Sequence, residues 1–111
     1  MNNRLQYIHV FLCLTIFSTY SSAKSIRIYN ISDRDFKNVS IMKQSYGDIH
    51  AGETSDYKKV KTVLSYAAMK MTIDEKYVTG QTLNIGSKSF TYEINIIDLE
   101  KGWLVIEVVR D

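Results

Sequence analysis

The chain contains no proline, five glycines, one cysteine and two histidines in 111 residues. Without proline there is no rigid polyproline linker or ligand segment. The lone cysteine is Cys13, so no disulfide framework can form within the chain. If residues 1–23 are lost, as argued below, Cys13 and His9 go with them, and neither a Cys/His zinc site nor a blue-copper centre of two histidines and a cysteine can be assembled from the remainder. No apolar run approaches the roughly 20 residues that span a bilayer. Neither charge sign dominates: the formal net charge is +2, too small to indicate nucleic-acid binding. What remains is ordinary globular composition, 45% hydrophobic and 23% charged, enough for one domain held by its core alone.

The first segment reads as an address. Arg4 is followed by an apolar stretch from Tyr7 to Phe17, interrupted by His9 and Thr15, and then by small and polar residues up to Ala23. Ser21 and Ala23 occupy the −3 and −1 positions of a signal-peptidase site. Residues 1–23 are therefore expected to be a secretory signal peptide cleaved after Ala23; the competing reading is an anchor that stays attached. Leu12 stands where a lipoprotein needs a small residue before its cysteine, which argues against lipid attachment at Cys13. The expected product is residues 24–111, exported to the periplasm or secreted, with no integral membrane anchor. It retains one histidine, His50, and a formal charge of +1 once Arg4 is lost.

Beyond Ala23 the pattern is period two. Ile26, Ile28 and Asn30 alternate with Arg27, Tyr29 and Ile31; Phe36 to Gln44 forms a second run with Val39 and Ile41 on one face; Phe90, Tyr92, Ile94 and Ile96 alternate with more polar neighbours. Trp103 to Val109 is apolar on both faces, which predicts a strand central in its sheet. The glycines are expected at the turns between these runs. Ser55 to Ile73 is ambiguous. As a helix it would start at a Ser55 cap and carry an apolar stripe through Val60, Val63, Leu64, Ala67, Ala68 and Met71. As a strand it places Val63, Ala67, Met69, Met71 and Ile73 on one face with Ser65. The strand is favoured, and the expected fold is a single all-β domain of about seven strands, a two-sheet sandwich of immunoglobulin-like or transthyretin-like type. The alternative is an α+β fold with a helix near 56–71.

The segment Tyr46-Gly47-Asp48-Ile49-His50-Ala51-Gly52-Glu53-Thr54-Ser55-Asp56-Tyr57 carries the pattern YG-x-I-x-AG-x-[ST]-S-x-Y. Asn30-x-Ser32, Phe36, Asn38-Val39, Tyr66 and Phe90-Thr91-Tyr92 flank it. In these features the chain resembles a family of small exported bacterial β-sandwich proteins of unknown function, over most of residues 26–110. The resemblance implies strands over 60–73 and offers no catalytic residue to carry over. It also implies a soluble protein here, because a usable lipid-attachment cysteine is lacking. Physically the motif reads as a structural turn, with Tyr46 and Tyr57 packing their rings inward and Ser55 or Thr54 bonding nearby backbone. The functional alternative is a ligand patch of Tyr46, Asp48, His50, Tyr57 and Tyr66.

Reactive constellations are scarce. Alternation turns Asp48 and His50 the same way, and Ser55 lies near, yet no G-x-S-x-G elbow accompanies them. His50 with Asp48 lacks further metal ligands, and the acidic pairs Asp33/Asp35, Asp74/Glu75 and Asp98/Glu100 read as solvated turns, so neither cofactor nor metal is expected. Lys58, Lys59 and Lys61 read as a solvent face or protection of a sheet edge. Asn30-Ile31-Ser32 and Asn38-Val39-Ser40 are sequons, meaningful only in a eukaryotic secretory route. Trp103 follows the Lys101-Gly102 turn and is the aromatic expected to be partly exposed. The expected function is a non-enzymatic binding module with a protein or envelope-glycan partner. A carbohydrate-binding module, an inhibitor of a secreted enzyme inserting the Asp48–Glu53 loop, and a hydrolase centred on His50 are the competing classes.

Overall fold

The computed structural model describes residues 21–63 and 65–111. Arg4, Cys13 and the apolar stretch 7–17 lie outside them. Among the described residues there is no helix, and eight strands form one mixed sheet: β1 (Ser21–Asn30), β2 (Phe36–Ile41), β3 (Gln44–Ile49), β4 (Lys58–Val63), β5 (Tyr66–Ile73), β6 (Lys76–Leu83), β7 (Ser89–Asp98) and β8 (Trp103–Arg110). The expected all-β class is observed, with one more strand than the seven expected. The helix near 56–71 is replaced by β4 and β5, because Ala67, Met69, Met71 and Ile73 bury at every second position.

The strands run β3-β2-β5-β4-β1-β7-β8, with β6 added on the other side of β5. β1 and β7 pair in parallel and every other pair is antiparallel. The link between β5 and β4 is a single pair, Val63 with Tyr66. The sheet therefore consists of two four-stranded arms, β4-β1-β7-β8 and β3-β2-β5-β6, hinged at one hairpin. β6 lies against β8 and β3 against β4. Ile26, Ile28, Phe90, Tyr92 and Ile94 from the first arm share one core with Phe36, Val39, Ile41, Met69, Met71 and Ile73 from the second. Polar groups tie the arms together inside it: the Tyr46 hydroxyl donates to the Ile26 carbonyl at 2.6 Å, and Thr82 donates to the Tyr92 hydroxyl at 2.9 Å, which in turn donates to Asn84. Burial pushes both phenols above their ordinary range.

Three local features depart from simple alternation. Phe36 to Gln44 is not one run: Met42 and Lys43 form a two-residue turn, with Met42 at a φ of 54°. Gly47 is not a turn either; it sits within β3 at a φ of 69°, where the register against β2 shifts by a residue. Gly80 lies inside β6, and a Cβ there would come within 2.9 Å of Ile106 Cδ1 of β8. Glycine at 80 thus serves close approach of the two arms rather than a turn. Val63, expected on the buried face with Ala67, is exposed, because the hairpin after it changes the phase of alternation.

Candidate functional site

The residues of the Tyr46–Tyr57 motif are pinned to β1. Asn30 N–H donates to the Glu53 carbonyl, Gly52 N–H to the Asn30 carbonyl, and Ser55 N–H to the Ile28 carbonyl. The Ser55 hydroxyl accepts the Ile28 N–H at 2.9 Å and donates to the Asp56 carbonyl. Residues 52–55 thereby extend the β1 ladder beyond β4. The Asn30 amide is buried and fully employed, donating to the Arg34 and Ile49 carbonyls and accepting from Ser32. It is a structural hub, and its buried nitrogen offers no sequon.

The expected ligand patch is not assembled. Tyr46 is buried, which withdraws it from any surface site. Asp48 accepts the Asn38 N–H at 3.0 Å. His50 lies just past the end of β3 and pairs with Asp35, Nδ1 3.5 Å from the carboxylate, rather than with Asp48. The Ala51 N–H, bonded to Asp35 at 3.0 Å, holds that carboxyl below its ordinary range, with His50 adding to the effect. His50 and Ser55 have separate partners, so the acyl-transfer arrangement is not formed. Tyr66 lies at the β4–β5 hairpin, facing solvent, paired with Val63 and Leu83. Among the described residues no group of three or more His, Cys, Asp or Glu is placed to hold a metal ion.

Tyr57 and Trp103 lie on a different surface, the outward face of β1, β7 and β8. The register builds this face in rows. Arg27, Thr91 and Val109 are neighbours across the strands; then Tyr29, Glu93 and Glu107; then Asn95 and Val105. At one end Arg27 Nε donates to the Thr91 hydroxyl at 2.9 Å, Thr91 donates to Asp111 at 2.6 Å, and the Tyr57 hydroxyl reaches the same carboxylate oxygen at 2.5 Å. The Arg27 guanidinium lies 4.7 Å over the Tyr57 ring. The hydrogen bonds from Thr91 and Tyr57, with the charge of Arg27 behind them, hold the Asp111 carboxyl below its usual range.

In the middle of the face Glu93 and Glu107 stand directly opposite each other. Like charges at paired positions destabilise a sheet, and none of the ion pairs among the described residues includes either glutamate. At the far end Ile97, Trp103 and Val105 are 64%, 54% and 45% exposed. Ile97 follows Thr91, Glu93 and Asn95 on the outward face and sits at a bulge between Ile96 and Asp98. The turn is fixed by Lys101 N–H on Asp98 and Gly102 N–H on Leu99, and Lys101 Nζ sits 4.7 Å over the indole. The expectation that the doubly apolar strand 103–109 is central is overturned. β8 is last in the strand order, and its second apolar face is open.

Of the residues on this face, the site reading of the sequence found only Tyr57 and Trp103. Glu93 and Glu107 escaped because their pairing depends on the bulge: without the extra residue at 97, Glu93 would face Val108. The apolar character of both faces of 103–109 was the available signal, but burial explains such a pattern as readily as a site does.

No protein-family model matches the chain, and no curated protein matches it. It is similar in fold to the NMR structure of a protein from Eubacterium rectale, with a TM-score of 0.59 at 11% identity, covering 80% of this chain and 90% of that one.

Proposed function

We propose that the chain is an exported, non-enzymatic binding domain whose outward β1–β7–β8 face docks a partner protein of the cell envelope. In this reading the two arms are the leaves of a sandwich, residues 1–23 are a leader, and the partner brings a lysine or arginine to Glu93 and Glu107 with an apolar side chain onto Trp103. The observation that carries the proposal is the juxtaposition on one face of the unpaired Glu93–Glu107 couple with exposed Ile97, Trp103 and Val105. A basic group between the glutamates would relieve their repulsion, and the exposed indole is a side chain of the type that dominates protein interfaces. Cleavage after Ala23 leaves Lys24–Asn30, including the whole parallel ladder to β7, so maturation is compatible with the face. Saccharide binding is less favoured, because Arg27 and Lys101 cover ring faces of Tyr57 and Trp103 on which a sugar would stack.

The test places a photo-crosslinking residue at Val105 in the producing cell, with Tyr77 of β6 as the control position. The expected result is one protein adduct at position 105, none at 77, and loss of the adduct when Glu93→Lys and Glu107→Lys are combined. Absence of an adduct at 105, or an adduct indifferent to the charge reversal, overturns the proposal.

A further inference from the structure

The two ends of the strands differ in charge. The loops at 31–35 and 50–53 and the turns at 74–75 and 99–102 form one pole, where Asp33, Asp35, Glu53, Asp74, Glu75 and Glu100 outnumber the cations Arg34 and Lys101. The opposite pole holds the Met42–Lys43 turn, the junction of β4 with β5, the 84–88 loop, the start of β1 and the end of β8 with Asp111. Residues 36–47, 57–73 and 76–92, which supply most of that pole, contain no aspartate or glutamate and carry Lys43, Lys59, Lys61 and Lys88 among others.

At this basic pole the register lines up Val63, Tyr66 and Leu83, each paired with the next across β4, β5 and β6. All three are half exposed or more. Lys59 and Lys61 project on the same side of β4 as Val63, two and four residues away, and are exposed. With Lys43 they border a groove of about 420 Å³ whose other walls are Met42, Gln44 and Val63. Three lysines line the groove beside Met42 and Val63, with no carboxylate among the lining residues. That arrangement suits a surface that is anionic at the headgroup and apolar just beneath it.

A second observation identifies which surface. β1 enters the fold here: Ser21 pairs with Val63 itself, Ser22 with Thr62 and Ala23 with Lys61. The apolar stretch Tyr7–Phe17 ends four residues before Ser21. The stretch suited to lipid therefore joins the domain at the apolar row and the lysines, not at the acidic pole. We infer that the Met42–Val63–Tyr66–Leu83 pole is a peripheral membrane contact that seats the domain on anionic phospholipid, with Lys43, Lys59 and Lys61 on the headgroups. Every residue of the contact lies beyond Ala23, although removal of residues 1–23 takes away the β1 partners of Lys61 and Val63. The geometry also points the acidic pole and the Trp103 end of the β1–β7–β8 face away from the bilayer. The inference is independent of the protein partner proposed above, which rests on a different surface.

The test is sedimentation of the full chain with vesicles of phosphatidylcholine alone or with 30% phosphatidylglycerol. The expected result is partitioning that requires the anionic lipid, weakens as salt rises from 50 to 300 mM, and falls at least about tenfold for the pair Lys59→Glu and Lys61→Glu. Binding carried only by residues 1–20 would be unchanged by that charge reversal, and that result overturns the inference. So does equal binding to neutral vesicles, and so does competition by millimolar inorganic phosphate without loss in Tyr66→Ser/Leu83→Ser, which would mark a soluble-anion site. Orientation is read by quenching with brominated lipid. An indole introduced by Tyr66→Trp in a Trp103→Phe background should be quenched, and native Trp103 should not; the reverse pattern refutes the placement.

Discussion

Glu107→Lys should make the free protein more stable. In the native sheet Glu107 faces Glu93 across β7 and β8, with Cβ atoms about 5 Å apart as in any direct antiparallel pair. Two carboxylates about 6 Å apart in a largely aqueous dielectric repel by roughly 0.7 kcal/mol. Lysine at 107 removes that term and adds an exposed ion pair of about 0.3–0.5 kcal/mol. Backbone preference changes little, since glutamate and lysine are both mildly disfavoured in strands. The expected gain is about 1 kcal/mol, which in a domain of this size corresponds to a rise in Tm of roughly 4–8 °C. Glu107→Gln, which removes the repulsion but adds no ion pair, should yield about two-thirds of it. Thermal and urea denaturation at 20 mM and 500 mM salt provide the assay, because added salt screens the repulsion and should narrow the gap between wild type and variant. A Glu107→Lys protein that is no more stable than wild type at low salt, or whose advantage ignores salt, would refute the repulsion. It would also remove the main physical reason for placing a cationic partner on this face.

Asn30→Ala should cost about 1–3 kcal/mol in urea denaturation, because it strands the buried carbonyl of Ile49 and frees Ser32. Glu75→Gly should stabilise by about 1 kcal/mol: Asp74 and Glu75 both have positive φ, 48° and 67°, in the two-residue turn between β5 and β6, a conformation that favours glycine. Gly80→Ala should destabilise through contact with Ile106 Cδ1, and the loss should shrink in an Ile106→Val background. The folded-state pKa of Asp35 is lowered, so its contribution is fully present above its unfolded value near 4 and lost as pH falls below that; Asp35→Asn should flatten the decline in Tm between about pH 4 and 2.

The inward half of this fold is legible in the amino-acid order. Ile26, Ile28, Val39, Ile41, Phe90, Tyr92 and Ile94 bury as their alternation requires, since one apolar side chain at every second position leaves the backbone few alternatives. The turns were legible only where residue chemistry marked them. Met42–Lys43 has no glycine, asparagine or proline, so β2 and β3 merged into one run and the strand count fell short. Gly47 and Gly80 read as turns in the sequence because a glycine announces unusual backbone or missing bulk without saying which. The outward face was harder still. Tyr57 and Trp103 stand out as single residues, whereas Arg27–Thr91–Asp111 and Glu93–Glu107 exist only through the parallel β1–β7 pairing and a bulge, which no local pattern encodes.

The places where this chain resolves its internal conflicts show where it leaves one unresolved. Among the described residues no buried side-chain nitrogen or oxygen lacks a hydrogen-bond partner. Asn30, Thr82, Asn84 and Tyr92 are polar, deeply buried and fully employed. Even Tyr46 spends its hydroxyl on a backbone carbonyl that lies across the core. Against that background the β7–β8 hairpin breaks two rules at once, holding like charges at paired positions and turning Ile97, Trp103 and Val105 into water. Neither break follows from the core, whose packing uses the opposite side chains of both strands, so lysine at 107 and polar residues at 103 and 105 would fold as well or better. A face that holds like charges at paired positions beside exposed apolar side chains marks selection for something other than stability, and a cation set beside an apolar surface removes both conflicts together.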